Sequence, residues 1–226
     1  MIWQDECFLL AKRKFRENAT IIDVFTPKYG KMSGIVYGGN SRKIRNHLQV
    51  SNKIFVFYTS KNENKIGYFK TELVEPISPK YFSDKERTSA LLSFSAILKI
   101  LLPDSQPYKN IYSSLNDLIK NIHHKNWQIL YIFWELNLIK TLGFDPDLNI
   151  IKDKASDNNS IIIKNIDNIN YKIPIYLIKK EIPLKFDKNL LKDSLSFTRN
   201  IMLNKFFLPN NLPFPKSRII FENYFN

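Results

Sequence analysis

Arg42, Lys43, Arg45 and His47 follow a paired glycine in the stretch GKMSGIVYGGNSRKIRNHLQ, residues 30–49. Cations at this density suit one task, which is to hold phosphates spaced along a nucleic-acid backbone. Gly38 and Gly39, lacking side chains, let main chain approach such a ligand closely. Lys12, Arg13, Lys14 and Arg16 end the first apolar run, and Lys28 and Lys31 flank a turn. If the barrel described below forms, these loops can converge on one side, with Phe15, Tyr37 and Tyr58 available for base stacking. The competing reading is a solvated basic surface over core aromatics. Other chemistry is poorly supported. His123 and His124 are adjacent, so on a helix they point about 100° apart and make no ligand pair. His47 stands alone, and Asp145 and Asp147 flank Pro146 in a turn. GGNS lacks the lysine and spacing of a phosphate-binding P-loop. No catalytic centre, metal site or cofactor is expected.

The chain has 226 residues and a formal charge of +13. A surplus of that size suggests a polyanionic partner, either nucleic acid or an anionic membrane surface. Compositional drift is the bland alternative, since Lys, Asn and Ile abound while Ala is scarce. Distribution favours function: residues 1–75 hold 13 lysines and arginines against seven acids, and their arginines cluster. The single cysteine, Cys7, excludes an internal disulfide. MIWQDECFLLAKRKF carries acids where a signal peptide would be basic. ILYIFWELNLI (129–139) is about half the length needed to cross a bilayer. These features suggest a soluble cytoplasmic protein without a membrane partner.

Five β-rich runs precede residue 75: Glu6–Phe15, Thr20–Phe25, Lys31–Tyr37, Lys53–Thr59 and Ile66–Val74. Turn-forming residues separate them, and SRKIRNHLQ supplies one helical turn with Ser41 as its cap. The pattern fits a five-stranded barrel of the OB type. Pro76 and Pro79 mark a boundary, after which Ser83-Asp84-Lys85-Glu86 reads as a capping box. Helical periodicity follows to Leu101, again after Pro107, and from Asn126 to Leu142, where Gly143 is a natural terminator. Residues 145–180 read as a polar loop with a small hairpin. Helix returns over Asp187–Phe207 and Lys216–Phe225. The expected class is α+β: an OB-fold barrel over 1–78, then a mainly α-helical domain over 79–226 with a hairpin-containing insertion at about 145–180.

The run from Cys7 to Arg16, VFTPKYGK (24–31), GIVYGGNSRK (34–43) and HLQVSNKI (47–54) resembles, in order and spacing, the RecO family of bacterial recombinational repair proteins. LIKTLGFDPDL (138–148) is similar to the segment before that family's zinc region, and LPNNLPFPKSR (208–218) to its C-terminal end. The resemblance implies binding of single- and double-stranded DNA and annealing of complementary strands. It also implies partnership with RecR and contact with the tail of the single-strand-binding protein, so that RecA can load. It implies action at the nucleoid. Many members hold zinc with four cysteines after this segment; residues 149–180 contain no Cys and no His, so no zinc is expected here. Lys99, Lys140 and Arg199, each beside apolar helical positions, are candidates for the acidic tail. Two rivals are an OB-fold RNA-binding protein of the translation apparatus and a metal-dependent nuclease, the latter lacking clustered carboxylates.

Overall fold

Five strands, β1 (Ile2–Arg16), β2 (Ala19–Thr26), β3 (Gly30–Tyr37), β4 (Lys53–Thr59) and β5 (Gly67–Glu75), close into a barrel ordered β1-β2-β3-β5-β4. The computed structural model describes residues 1–39, 41–62, 65–146, 161–166, 168–183 and 186–225, without the side chain of Lys43. Asp147 and part of the expected 145–180 insertion lie outside the described residues.

The first strand is longer than its apolar pattern suggests. Its front half pairs with β4, from Ile2↔Thr59 to Phe8↔Lys53, and its back half with β2, from Phe8↔Phe25 to Arg16↔Ala19. Gln4 and Glu6 read as a polar lead-in because they take the outward positions of an alternating strand. Register shifts between Leu9 and Ala11, and between Lys14 and Arg16, bend the strand from one partner to the other.

Closure depends on β3 meeting β5 in parallel over two pairs, Gly34↔Gly67 and Ile35↔Tyr68. A Cβ on Gly34 would lie 2.3 Å from the Phe69 ring, and one on Gly67 would lie 2.4 Å from the Tyr58 ring. Both rings belong to the barrel core, where Trp3 stacks on Tyr29 at 4.2 Å and on Tyr58 at 4.9 Å. Tyr58 is therefore a core residue, 5% exposed, in line with the core-aromatic reading, and is not available for base stacking.

A short helix, α1 (Arg42–His47), follows β3, its first turn capped by the Ser41 hydroxyl accepting from the Ile44 N–H at 3.4 Å. Ile44 and Leu48 pack into the barrel core. After α2 (Ile77–Lys80), α3 (Lys85–Leu101) lies on the barrel: the Ser51 hydroxyl donates to the Leu91 carbonyl and meets Ser95 Oγ, each at 3.0 Å. The α3 cap is Asp84, one residue later than the capping box implied; its carboxylate accepts from the Arg87 N–H at 3.0 Å. Ser83 and Asp84 are both good caps, and Arg87 decides between them by also donating from its guanidinium.

The chain divides into two compact units, Met1–Tyr112 with Pro215–Phe221, and Ser113–Phe214 with Glu222–Asn226. In the first, Tyr112 at the start of α4 (Lys109–Asn121) sets its ring against Phe8 and Phe25 on the outside of the barrel. The second is built around α5 (Trp127–Thr141), whose Trp127, Tyr131, Trp134 and Leu138 are buried. Gly143, at φ 100°, ends α5, and the Phe144 N–H returns to the Ile139 carbonyl at 3.2 Å. A hairpin of β6 (Ile161–Ile166) and β7 (Ile169–Pro174) follows, then α6 (Ile175–Lys179) and α7 (Lys188–Met202). α7 continues as a π-helical turn over Leu203–Phe207, and α8 (Lys216–Asn223) ends the described structure. Inside the second unit Thr198 donates to buried Glu135, and the Tyr176 hydroxyl meets Ser194 Oγ at 2.8 Å.

The α3 cap gives a stability test with a pH signature. Burial raises the Asp84 carboxyl, but the Arg87 hydrogen bonds and charge outweigh it and hold the group below its ordinary 3.8. A depressed folded value means the cap's contribution is full above the unfolded value and is lost as pH falls through the folded one. Asp84→Ala is therefore expected to cost about 1 kcal/mol at neutral pH in urea unfolding, while Ser83→Ala changes little. The Asp84→Ala deficit should shrink below pH 3.8.

Candidate nucleic-acid interface

Strand register decides which basic residues can meet. Arg16 pairs with Ala19 and Ala19 with Tyr37, so the end of β1, the start of β2 and the end of β3 share one end of the barrel. There the Gly38 N–H donates to the Asn18 carbonyl at 2.8 Å. Gly38 sits at φ 68°, in the left-handed region where glycine is favoured, and turns the chain into α1. Thr20 fills the space of the missing Gly39 side chain, since a Cβ there would lie 2.8 Å from it. The paired glycines thus place the basic helix at this end of the barrel.

Lys12, Lys14, Arg16, Arg42 and Arg45 gather here. Lys12 pairs with Ile22 and Lys14 with Thr20, on one face of β1. The Lys12 ammonium reaches α1 and donates to the Leu48 carbonyl at 2.6 Å. Desolvation lowers Lys12 below its ordinary 10.5, and the positive charge of Arg45 pushes it the same way. Two cations this close repel, and a bound anion would relieve both. Arg42 and Arg45 are exposed, and α1 carries no acid. The backbone of Lys43 belongs to α1, but its side chain lies outside the described residues.

The remaining cations do not join them. Arg13 points to the outer face, 3.7 Å from Asp23, which also takes Lys99 at 3.4 Å and the Ser33 hydroxyl at 2.7 Å. Lys31 donates to the Lys99 carbonyl at 2.8 Å and pairs with Asp104 at 3.2 Å. Lys28 is exposed at the β2–β3 turn, the opposite end of these strands, where its N–H faces Asp5. The convergence of all these loops on one side is thus corrected: antiparallel pairing sends the Lys28–Lys31 turn away from Arg16.

Exposed aromatics accompany the basic end. Phe15 is 43% and Tyr37 60% exposed, and Tyr68, which the sequence reading passed over, is 44% exposed and stacked on Tyr37. In GYFK, Phe69 turns inward and Tyr68 outward by strand alternation. That parity was the available signal.

The three candidates for an acidic tail sit in different settings. Lys99 is held by Asp23, and Arg199 lies 3.3 Å from Glu222, a carboxylate that is itself nearly buried. Lys140 bridges to Asp145 at 2.8 Å, both largely exposed, at the edge of a depression lined by Phe133, Leu136, Leu177 and Lys180. Lys180 was not legible, since it stands in the left-handed turn that closes α6, at the very end of the insertion. His123 and His124 lie in a turn after α4 and not on a helix, with ring centroids 4.1 Å apart. Among the described residues no cluster of three His, Cys, Asp or Glu could hold a metal ion. Nor is any described helix long and apolar enough to cross a membrane.

The family models for the N-terminal and C-terminal parts of recombination protein O match residues 1–77 and 83–150. The DNA repair protein RecO of Wolbachia pipientis wMel is 30% identical over 96% of this chain and 98% of its own length. That of Ehrlichia chaffeensis is 31% identical over 84% of this chain and 75% of its own. Among solved structures, asparaginyl-tRNA synthetase of Entamoeba histolytica matches at 10% identity over 95% of this chain and 60% of that one. Its TM-score of 0.29 carries no argument.

The split of the cations is testable on an immobilised polyanion. Arg42→Ala/Arg45→Ala is expected to elute from heparin at clearly lower salt than the unaltered protein. Lys31→Ala, which removes an internal hydrogen bond, should elute nearly unchanged and instead unfold at lower urea, by about 1 kcal/mol.

Proposed function

The chain belongs to the RecO family of DNA repair proteins, and on that premise we propose that it is a non-enzymatic recombination mediator binding single- and double-stranded DNA. The observation that carries this reading is the gathering of Lys12, Lys14, Arg16, Arg42 and Arg45 at one end of a closed barrel. Charged groups so placed act on phosphates irrespective of base sequence. The energetic logic of annealing follows. Two complementary strands repel through their phosphates; cations that neutralise both lower that repulsion, and base pairing then supplies the driving force. No side chain has to react.

The finer roles belong to the same proposal. The protein works in the cytoplasm at the nucleoid. With RecR it helps RecA replace the single-strand-binding protein. The depression beside Lys140 receives that protein's acidic, apolar-ended tail. Phe133, Leu136 and Leu177 would take the apolar end, with Lys140 and Lys180 facing the acids. Lys99 and Arg199 offer less, because they answer the nearly buried carboxylates Asp23 and Glu222, whereas the Asp145 that Lys140 bridges is itself largely exposed.

Salt dependence tests the phosphate reading. If about five phosphates of a single strand are contacted, log affinity should fall against log salt with a slope near −3.5, at roughly −0.7 per phosphate. A flat line would remove the basis of the proposal. In annealing of oligonucleotides coated with single-strand-binding protein, Arg42/Lys43/Arg45→Ala should be slower than the unaltered chain. For the tail, Lys140→Glu should weaken peptide binding several-fold, while Arg199→Ala leaves it near the original value. The reverse ranking would move the tail site elsewhere.

A further inference from the structure

Tyr37 closes β3 and Tyr68 opens β5, and the parallel register Ile35↔Tyr68 at the barrel seam brings them side by side. Their rings are stacked with centroids 5.3 Å apart and planes 16° from parallel. In the barrel core Trp3, Tyr58 and Phe69 are buried, yet these two rings are 60% and 44% exposed. Arg16 borders them. Its guanidinium lies 5.2 Å from the exposed Phe15 ring, and while a hydroxyl contact with Tyr68 raises the Tyr37 phenol above its ordinary 10.0, the Arg16 charge is near enough to oppose that in part. Lys14 stands on the other side of Phe15, at the bulge of β1.

Flat apolar rings fixed on strand ends and edged by cations match one polymer: a chain of flat bases, each followed by a phosphate. Resting on the DNA-binding reading above, we propose that Tyr37 and Tyr68 form a base-stacking platform for unpaired nucleobases, with Arg16 and Lys14 holding the flanking phosphates. Every base offers a π-face, so such a platform tolerates any sequence. In a duplex both faces of each base are covered by its neighbours, and the rings have nothing to receive. The platform therefore distinguishes single strands from duplex, whereas the cations of β1 and α1 serve both.

The test compares Tyr37→Ala/Tyr68→Ala with the unaltered chain by fluorescence anisotropy, on labelled oligothymidylate and on a duplex of equal length across a salt series. Single-strand affinity should drop roughly tenfold at every salt with unchanged slope, and duplex affinity should stay the same. Tyr37→Phe/Tyr68→Phe should keep single-strand affinity, because the ring and not the hydroxyl stacks. The unaltered protein should also bind an abasic backbone of equal length roughly tenfold more weakly than oligothymidylate, a measurement that needs no variant. Equal losses on both substrates, no loss in the alanine variant, loss already in the phenylalanine variant, or equal affinity for abasic and thymidylate strands would each overturn the platform. A flat salt response of the unaltered chain would instead overturn the phosphate reading beneath it.

Discussion

The barrel depends on one close approach. β3 and β5 can meet only where Gly34 faces Gly67, because the rings of Phe69 and Tyr58 occupy the space that any side chain at those positions would need. Two absent side chains thus accommodate two large core aromatics, and Trp3 completes the stack. The same seam sets the surface. Once Gly34 is opposite Gly67, Ile35 is opposite Tyr68, and Tyr37 emerges beside Tyr68 at the end of the barrel where α1 begins. Core packing and the exposed aromatic pair are two consequences of one register.

Electrostatics then divides the basic residues by what lies within reach. On the outer face, nearly buried Asp23 collects Arg13 and Lys99, and Asp104 collects Lys31; the Lys99 and Lys31 pairs fasten α3 and the chain after it to the barrel. At the α1 end, among the described residues, no acid is paired with Lys12, which donates instead to a carbonyl and feels the repulsion of Arg45. A net surplus becomes useful for binding a polyanion where its cations are brought together. Position, more than the total of +13, singles out this end.

Much of this was legible in the sequence. The five strands followed from alternation and turn residues, the helical turn from Ser41, and the end of α5 from Gly143, because each signal is local. What failed was long-range. FVFYT places large residues at both parities, so the run itself does not say that Tyr58 points in and Phe57 out; the partner strand decides. The Lys28–Lys31 turn could not be assigned to an end of the barrel until the β2–β3 register was known. Ser83 yielded to Asp84 through a side-chain contact from Arg87, which pattern matching does not see. Lys180 joined Lys140 only through the packing of α6 beside α5 within the second unit.

The central claim is that the barrel end shared by β1, β3, α1 and β5 holds a single strand. Hydrogen-exchange mass spectrometry of the full chain with and without a saturating oligonucleotide tests it most directly. The account predicts new protection in peptides covering Lys12–Arg16, Tyr37–Leu48 and Gly67–Phe69, with the Lys28–Lys31 turn unaffected. Protection confined to the Lys28–Lys31 turn, or to peptides within Ser113–Phe214, would contradict it.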